Sequence, residues 1–394
     1  MQNFFKKLKI LLSAELQFKL PKKCQILFFD EVKEKNLKKY FDKYTTETFF
    51  LRGEKFNIPC ILLSLFFKGK FLDRYLKAFI KFSNPKIILT LLDNNSFFYS
   101  LSKKYPRVKT IFIQNGWRTK YLDVFHELEN QSEKNKLYFV DYKFVFGEAY
   151  AKKFSKFIRG KNVNFGSFKN NSSEILLDKK LNIISYTSFF DPTWAFDFYA
   201  KDRIFKIQNK NLSLTEFSIK PDKFILLFLS KYAKSKNMNL FIIPRSRKKS
   251  TFFRHAENAY YKNIIGVKAK FLDLDSDYPS YNALDVSRIN VTMDSTLGYE
   301  CLARQNKTAF FSIRGTINNI NDYSVFGWPM SFDETGFFWT NKPDYKIFKE
   351  IMDNLLHASK EVWHEQLKIN KVDNLIIRNK VNKLTNLIDR VLSN

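Results

Sequence analysis

Cysteine is scarce in this sequence: Cys24, Cys60 and Cys301 stand far apart in 394 residues. They make neither a metal spacing nor a disulfide framework. Histidine is nearly as scarce, and His126, His255, His357 and His364 fall into no HxxxH or HExxH pattern. A metal site built from His and Cys is therefore not expected. Neither GxGxxG nor a Walker sequence occurs, so the familiar glycine-rich phosphate loops are missing. The most apolar run, Ile58 to Phe67, is about ten residues and too short to span a bilayer. Lys6, Lys7, Lys9 and Glu15 break any leader-like pattern, and the expectation is a cytoplasmic chain. Acid is in short supply too. Asp and Glu number 39 against 67 Lys and Arg, a net charge of +28.

That excess predicts attraction to polyanions: an anionic lipid surface, phosphorylated substrates or nucleic acid. The lysines are scattered through the chain and not gathered into one arm, which argues against nucleic acid. Abundant Lys, Asn, Ile and Phe are also what an AT-rich coding sequence yields. Phe beside Lys recurs, as at Phe67-Lys68 and Phe154 to Phe157. Such pairs suit the inner face of a membrane as a peripheral contact, and this composition also produces them by chance.

The length suits two domains. In the first half, apolar runs at Cys24–Phe29, Thr48–Leu51, Ile87–Leu92, Val108–Gln114, Tyr142–Phe146 and Asn162–Phe165 alternate with helical stretches, among them one that Asn57 caps and one over Ser96–Lys104. Continuous apolar strands between helices mean a parallel sheet covered on both faces. Asp93 ends one strand and Gln114-Asn115-Gly116 ends the next. In a parallel sheet these ends are neighbours. They form an acceptor site with Asp93 as base, or they are plain helix caps and a turn. The polar run Lys169 to Ser173 marks a boundary.

The α/β pattern then restarts at Leu181–Tyr186, whose loop carries Ser188; the polar residues 196–217 are expected to form an insertion, and a basic turn, Pro244-Arg245, follows the strand Leu240–Ile243. The most informative stretch is Ile289 to Phe311. A β-run ends at Met293, the cap formers Asp294, Ser295 and Thr296 follow, a helix carries Gly298 and Glu300, and a second β-run closes at Thr308–Phe311. Ligands of open α/β sheets bind at such strand-to-helix loops, and a helix N-terminus favours an anion. Glu300, one turn beyond Thr296, is placed to hold ribose hydroxyls. An ordinary capped βαβ unit is the competing reading. From Tyr345 onward the pattern is helical, and Lys371–Leu392 is amphipathic.

The runs TLLDNN at Thr90–Asn95, IFIQNG at Ile111–Gly116 and MDSTLGYECLARQNKTAFF at Met293–Phe311 resemble a family of bacterial surface-polysaccharide biosynthesis proteins of the O-antigen and capsule type. These are distantly similar to Kdo- and sialic-acid transferases and to teichoic-acid glycerophosphotransferases. The resemblance implies an α/β fold of the GT-B type, with two Rossmann-like domains whose parallel sheets face a cleft, and C-terminal helices. It divides the chain into an acceptor domain (1–168), a linker (169–180), a donor domain (181–344) and a helical tail (345–394). It implies a metal-independent, inverting glycosyltransferase of surface polysaccharide, with a nucleotide-sugar as co-substrate and no cofactor. The acceptor would be lipid-linked or an oligosaccharide. A glycerophosphotransferase, a non-catalytic assembly protein and a nucleic-acid binder are the alternatives. Ser295, Thr296 and Glu300 match the family's donor-holding cap, with Ser188, Pro244, Arg245, Asp294 and Gly298 beside them. Asn94, Gln114, Asn115, Gly116 and Arg118 fall on the acceptor side. Two departures stand out. Pro244-Arg245 occupies the place of the family's basic or His-Pro strand end with Pro but without the His, and Asn115-Gly116 stands where relatives often carry a His-Gly beside the acceptor; Asp93, at its strand end, is the expected base.

Overall fold

A computed structural model describes residues 14–32, 35–132, 138–176, 180–191, 204–245, 251–266, 270–320 and 322–393. Apolar runs that would leave backbone groups unpaired in a core instead form two six-stranded parallel sheets. The first contains β1 (Ile26–Phe29), β2 (Thr46–Phe49), β3 (Ile87–Thr90), β4 (Lys109–Ile113), β5 (Tyr138–Val145) and β6 (Ile158–Asn164). Its spatial order is β2-β1-β3-β4-β5-β6. The second contains β7 (Leu181–Thr187), β8 (Asn239–Ile243), β9 (Lys270–Phe271), β10 (Ser287–Thr292), β11 (Thr308–Phe311) and β12 (Trp339–Thr340). Its order is β9-β8-β7-β10-β11-β12. β1, β3 and β11 are buried along their whole length, as their continuous hydrophobic sequences require.

The helices include α1 (Ile58–Ser64), α2 (Phe71–Ser83), α3 (Val124–Ser132), α4 (Glu148–Ser155), α5 (Lys220–Ser235), α6 (Pro279–Val286), α7 (Thr296–Ala303), α8 (Tyr345–His357) and α9 (Asn382–Ser393). Asn57 caps α1 as its sequence predicts, its side chain accepting from the Cys60 N–H. The helix expected over Ser96–Lys104 is smaller, a 3-10 turn at Phe98–Ser100 and one α turn at Leu101–Lys104. Asn95 explains the late start: its side chain takes the Phe97 N–H at 3.0 Å, an alternative to helix geometry. Within the segment expected as an insertion at 196–217, the described part is a small antiparallel hairpin, Ile204–Ile207 with Lys210–Ser213, followed by the start of a π-helical turn, Thr215–Ile219; residues 196–203 lie outside the described residues.

The C-terminal stripe is core. Val381, Leu384 and Ile388 pack on Ile26, Leu89, Ile111 and Phe144 of the first sheet, so α9 returns to the half that carries that sheet. On the way back, the Ile377 N–H donates to the Phe146 carbonyl at 3.0 Å. Gly147 permits this return, because a Cβ there would lie 2.5 Å from the Asn374 carbonyl.

The carboxyl edges of the two sheets meet. Trp117, just beyond β4, stacks on Tyr299 of α7 with ring centroids 3.2 Å apart and planes 3° apart. Its N–H donates to the Thr296 hydroxyl at 2.8 Å. Two Rossmann-like units facing one cleft are the GT-B arrangement. Among the described residues no helix is long and apolar enough to cross a membrane.

Candidate functional site

The cleft holds a cavity of about 790 Å³, lined from both halves of the chain. Its centre is the turn from β10 into α7. Ser295 has extended backbone angles, and its hydroxyl accepts from the Leu297 N–H at 3.3 Å. The Thr292 hydroxyl in turn accepts from the Ser295 N–H at 3.2 Å. Asp294, Ser295, Thr296, Leu297 and Glu300 all line the cavity. The positive end of the helix therefore opens on the cleft, where an anion is favoured. Glu300 follows one turn later. It accepts hydrogen bonds from Ser167 and Tyr281, and burial raises its carboxyl above the ordinary range.

Gly298, expected at the donor, does not line the cavity. It faces the sheet, where a Cβ would lie 2.3 Å from Thr292 Cγ2. Its smallness lets α7 lie down on β10. Ser188 does line the cavity, but its hydroxyl is committed. It donates to Glu257 at 2.6 Å and accepts from Tyr261 at 2.7 Å. The expected phosphate contact from Ser188 would have to break that network. Pro244 and Arg245 lie on the cavity wall. The exposed Arg245 guanidinium comes within 3.7 Å of Asp191. Ser246 and Arg247, which continue that basic turn in sequence, lie outside the described residues.

On the first sheet, Asp93 and the Gln114–Gly116 turn are neighbours, as adjacent parallel strands require. Their arrangement differs from the expected one. Asp93 is fully buried and is not on the cavity wall. Arg118 Nε donates to its Oδ2 at 2.8 Å, Arg118 Nη2 donates to Oδ1, and the Asn115 N–H donates to Oδ1 at 3.1 Å. These bonds hold the carboxylate on Arg118 and off the cavity wall. In this arrangement Asp93 anchors Arg118. Gln114 is also internal, bonded to the Gly116 carbonyl at 3.0 Å and the Phe146 N–H at 2.9 Å. Asn94 is exposed and away from the cavity. Of the acceptor-side group, Asn115 lines the cavity, and its carbonyl oxygen accepts from Arg118 at 2.7 Å. Gly116 approaches Thr296, with room for a Cβ at 3.7 Å from its hydroxyl.

Several residues here escaped the sequence reading. Asp123 lines the cavity from the first half of the chain. It caps α3 through the Val124 N–H at 2.7 Å and accepts from the Thr119 N–H at 3.2 Å. Burial raises its carboxyl above the ordinary range despite the Arg118 guanidinium nearby. Its signal in sequence was an Asp before an amphipathic helix, which is also the signature of any cap. Arg314 follows β11 and lines the cavity. An Arg at a strand end, the signal that singled out Arg245, was present there too. Phe189, Phe205, Phe217 and Tyr323 complete the wall, and no local pattern could have gathered them. Among the described residues no group of three or more His, Cys, Asp or Glu side chains is placed to hold a metal.

Residues 111–391 match a family described as "putative O-antigen biosynthesis protein". No curated protein matches the chain. Among solved structures it is similar to the wall teichoic acid polymerase TagF, at 11% identity over 94% of this chain and 89% of that one, with a TM-score of 0.45. It is similar to the UDP-GlcNAc 2-epimerase of Neisseria meningitidis bound to UDP-GlcNAc, at 11% identity over 93% and 98% of the two chains, with a TM-score of 0.49. It is also similar to S. aureus MnaA in its UDP co-structure, at 12% identity over 96% and 97%, with a TM-score of 0.46.

Proposed function

The chain belongs to this family of O-antigen biosynthesis proteins, and on that premise we propose that it is a nucleotide-sugar-dependent glycosyltransferase of surface-polysaccharide assembly. The observation that carries the proposal is the capped N-terminus of α7 opening on a cavity walled by both halves of the chain. A pyrophosphate fits that end for electrostatic reasons. Glu300 and Tyr281, on the side of β8, would take the ribose and base end, with Pro244 and Arg245 as the outer wall. Residues 181–344 would then hold the donor and 1–168 the acceptor, joined through 169–180 and tied by the tail 345–394.

The chemistry needs three things. Charge developing on the leaving phosphate is stabilised by the helix end and by Arg245, without a metal. The acceptor hydroxyl enters beside Asn115 and Thr119. Asp123 takes its proton, since a carboxylate of raised pKa that lines the cleft suits a general base better than the sequestered Asp93. Attack from that side on the anomeric carbon inverts its configuration. The basic surface would keep the enzyme against an anionic membrane carrying a lipid-linked acceptor.

The experiment is a thermal-shift screen of the full chain against CMP, UDP, GDP, CDP and ADP, repeated with Ser295→Ala and Glu300→Ala. A ligand at about 100 times its Kd adds roughly 2.7 kcal/mol to stability. One nucleotide should stabilise the wild type strongly and the variants weakly. Silence from all five would sink the donor assignment.

A further inference from the structure

Strand order divides the cavity into two ends. Glu300 and Tyr281 lie toward β8, whereas Arg314 follows β11, on the opposite side of β10 from β7 and β8. The nucleotide proposed above occupies the first end. The second end contains a pair of charged side chains that are incompletely satisfied. Arg314 Nη1 donates to Asp294 Oδ2 at 2.6 Å, and Arg314 Nε donates to the Phe217 carbonyl at 2.9 Å. The Ser324 hydroxyl also donates to Asp294 Oδ2. Arg314 Nη2 and Asp294 Oδ1 have no hydrogen-bond partner among the described residues. Tyr323 makes a side-chain hydrogen-bonding contact with the Arg314 guanidinium, and Nη2 itself still has no partner among the described residues. The two side chains are only 2% and 9% exposed, yet both residues line the cavity. Orphaned buried polar atoms are costly and call for a ligand.

The ligand's chemistry follows from the two atoms together. One is an N–H donor and the other is a carboxylate acceptor. A hydroxyl serves both, because its proton goes to Asp294 Oδ1 and its lone pair takes the Arg314 N–H. A ligand carboxylate or phosphate would satisfy Arg314 but would bring like charge against Asp294. The surrounding wall is aromatic. The guanidinium lies 3.8 Å above the Phe189 ring and 4.8 Å from that of Phe217, and Phe205 stacks on Phe217 at 3.9 Å. Apolar walls with a few placed polar groups suit a sugar ring, whose C–H faces are apolar and whose edge bears hydroxyls.

We propose that Asp294 and Arg314, with the Phe189–Phe205–Phe217–Tyr323 wall, form the subsite for the transferred group, and that this group is a neutral, hydroxylated sugar and not an acidic one. The assignment rests on the nucleotide lying at the α7 end of the same cavity. Asp294 and Arg314 are therefore specificity-determining residues, a role that a purely structural ion pair would not have.

The test is a titration of the full chain with UDP, UDP-glucose and UDP-glucuronate, with GDP, GDP-mannose and GDP-mannuronate in parallel. The neutral sugar nucleotide of one series should bind about tenfold tighter than its diphosphate, and the acidic one no tighter, the difference expected of a charge-assisted hydrogen-bond pair made or lost. In Asp294→Asn, an isosteric change, the gap between neutral and acidic ligands should close to about threefold while the Kd of the bare diphosphate holds. An acidic sugar nucleotide that binds wild type more tightly than the neutral one overturns the proposal. So does an Asp294→Asn variant that weakens the diphosphate and the sugar nucleotide alike. If neither series binds, saturation-transfer NMR with free methyl glucoside and glucuronate separates the two ideas. A preference for the neutral sugar that Asp294→Asn abolishes keeps the subsite and rejects the nucleotide; no preference rejects both.

Discussion

Asp93 and Arg118 decide between two pictures of the acceptor side. As an anchor, Asp93 holds a buried guanidinium beside Asn115 and within 3.7 Å of Asp123. Removing one member of a buried ion pair leaves the other uncompensated. Arg118→Ala should therefore cost about 3 to 5 kcal/mol, read as a lowered urea midpoint with unchanged slope. Asp93→Asn should likewise act first on stability; full stability with kcat alone reduced would restore Asp93 as the base. Asp123 carries the opposite expectation. Asp123→Asn should keep the fold and lower kcat by about 10²- to 10⁴-fold. The sign of its pH dependence follows from its burial. A base works deprotonated, and this one titrates above the ordinary carboxylate range. Wild-type kcat should fall as pH drops through that raised value, and the variant's residual rate should show no such limb.

At the scale of elements, the first turn of α5 is fastened under the second sheet by a carboxylate. Asp222 accepts from Tyr186 of β7 at 2.5 Å and from Tyr260 at 2.6 Å. Burial pushes its pKa up to about 6 from an ordinary 3.8. The folded state thus holds a proton that the unfolded chain has already released between those values. Asp222 contributes its full stability below about pH 4, and that contribution is lost as pH rises through about 6. Denaturant titrations from pH 4 to 7 should show wild type losing on the order of 2 kcal/mol relative to Asp222→Asn. A constant difference between the two proteins would mean that Asp222 does not titrate there. The capped β10–α7 unit is the complementary case. Its strand, cap, helix and return strand were all legible in sequence, because each depends on residues within one or two turns of the chain: Ser295 before an apolar helix, and β-branched residues before that. The helix expected at Ser96–Lys104 starts late for an equally local reason, the Asn95 side chain bonding the Phe97 N–H.

For the whole molecule, the stack of Trp117 on Tyr299 and the Trp117 N–H bond to Thr296 join the two halves at the floor of the cleft. α9 joins them a second time, by packing the end of the chain on the first sheet. Trp117→Ala should remove both an aromatic contact and interface packing, at about 3 to 5 kcal/mol. Differential scanning calorimetry should then resolve two transitions where wild type gives one, as each half loses its coupling to the other. A single transition in the variant would assign the coupling to α9 alone.

Sequence by itself determined the two α/β units, the loops at their strand ends and the cap at Ser295. Period, continuous apolar runs and capping chemistry are properties of neighbours along the chain. It also brought Asp294, Ser295, Thr296, Glu300, Pro244 and Arg245 to one wall, since parallel strands put their carboxyl ends on one edge. Only the tertiary structure decided which polar groups face the cleft and which are already used. Asp93, Gln114 and Ser188 have the right residue type at the right strand ends, yet partners as distant in sequence as Glu257 and Tyr261 consume their hydrogen-bonding capacity. Asp123 and Arg314 carry no stronger local signal than dozens of other charged residues. They become candidates because the fold buries them at the cavity wall, where desolvation raises the Asp123 carboxyl and leaves Arg314 Nη2 without an acceptor.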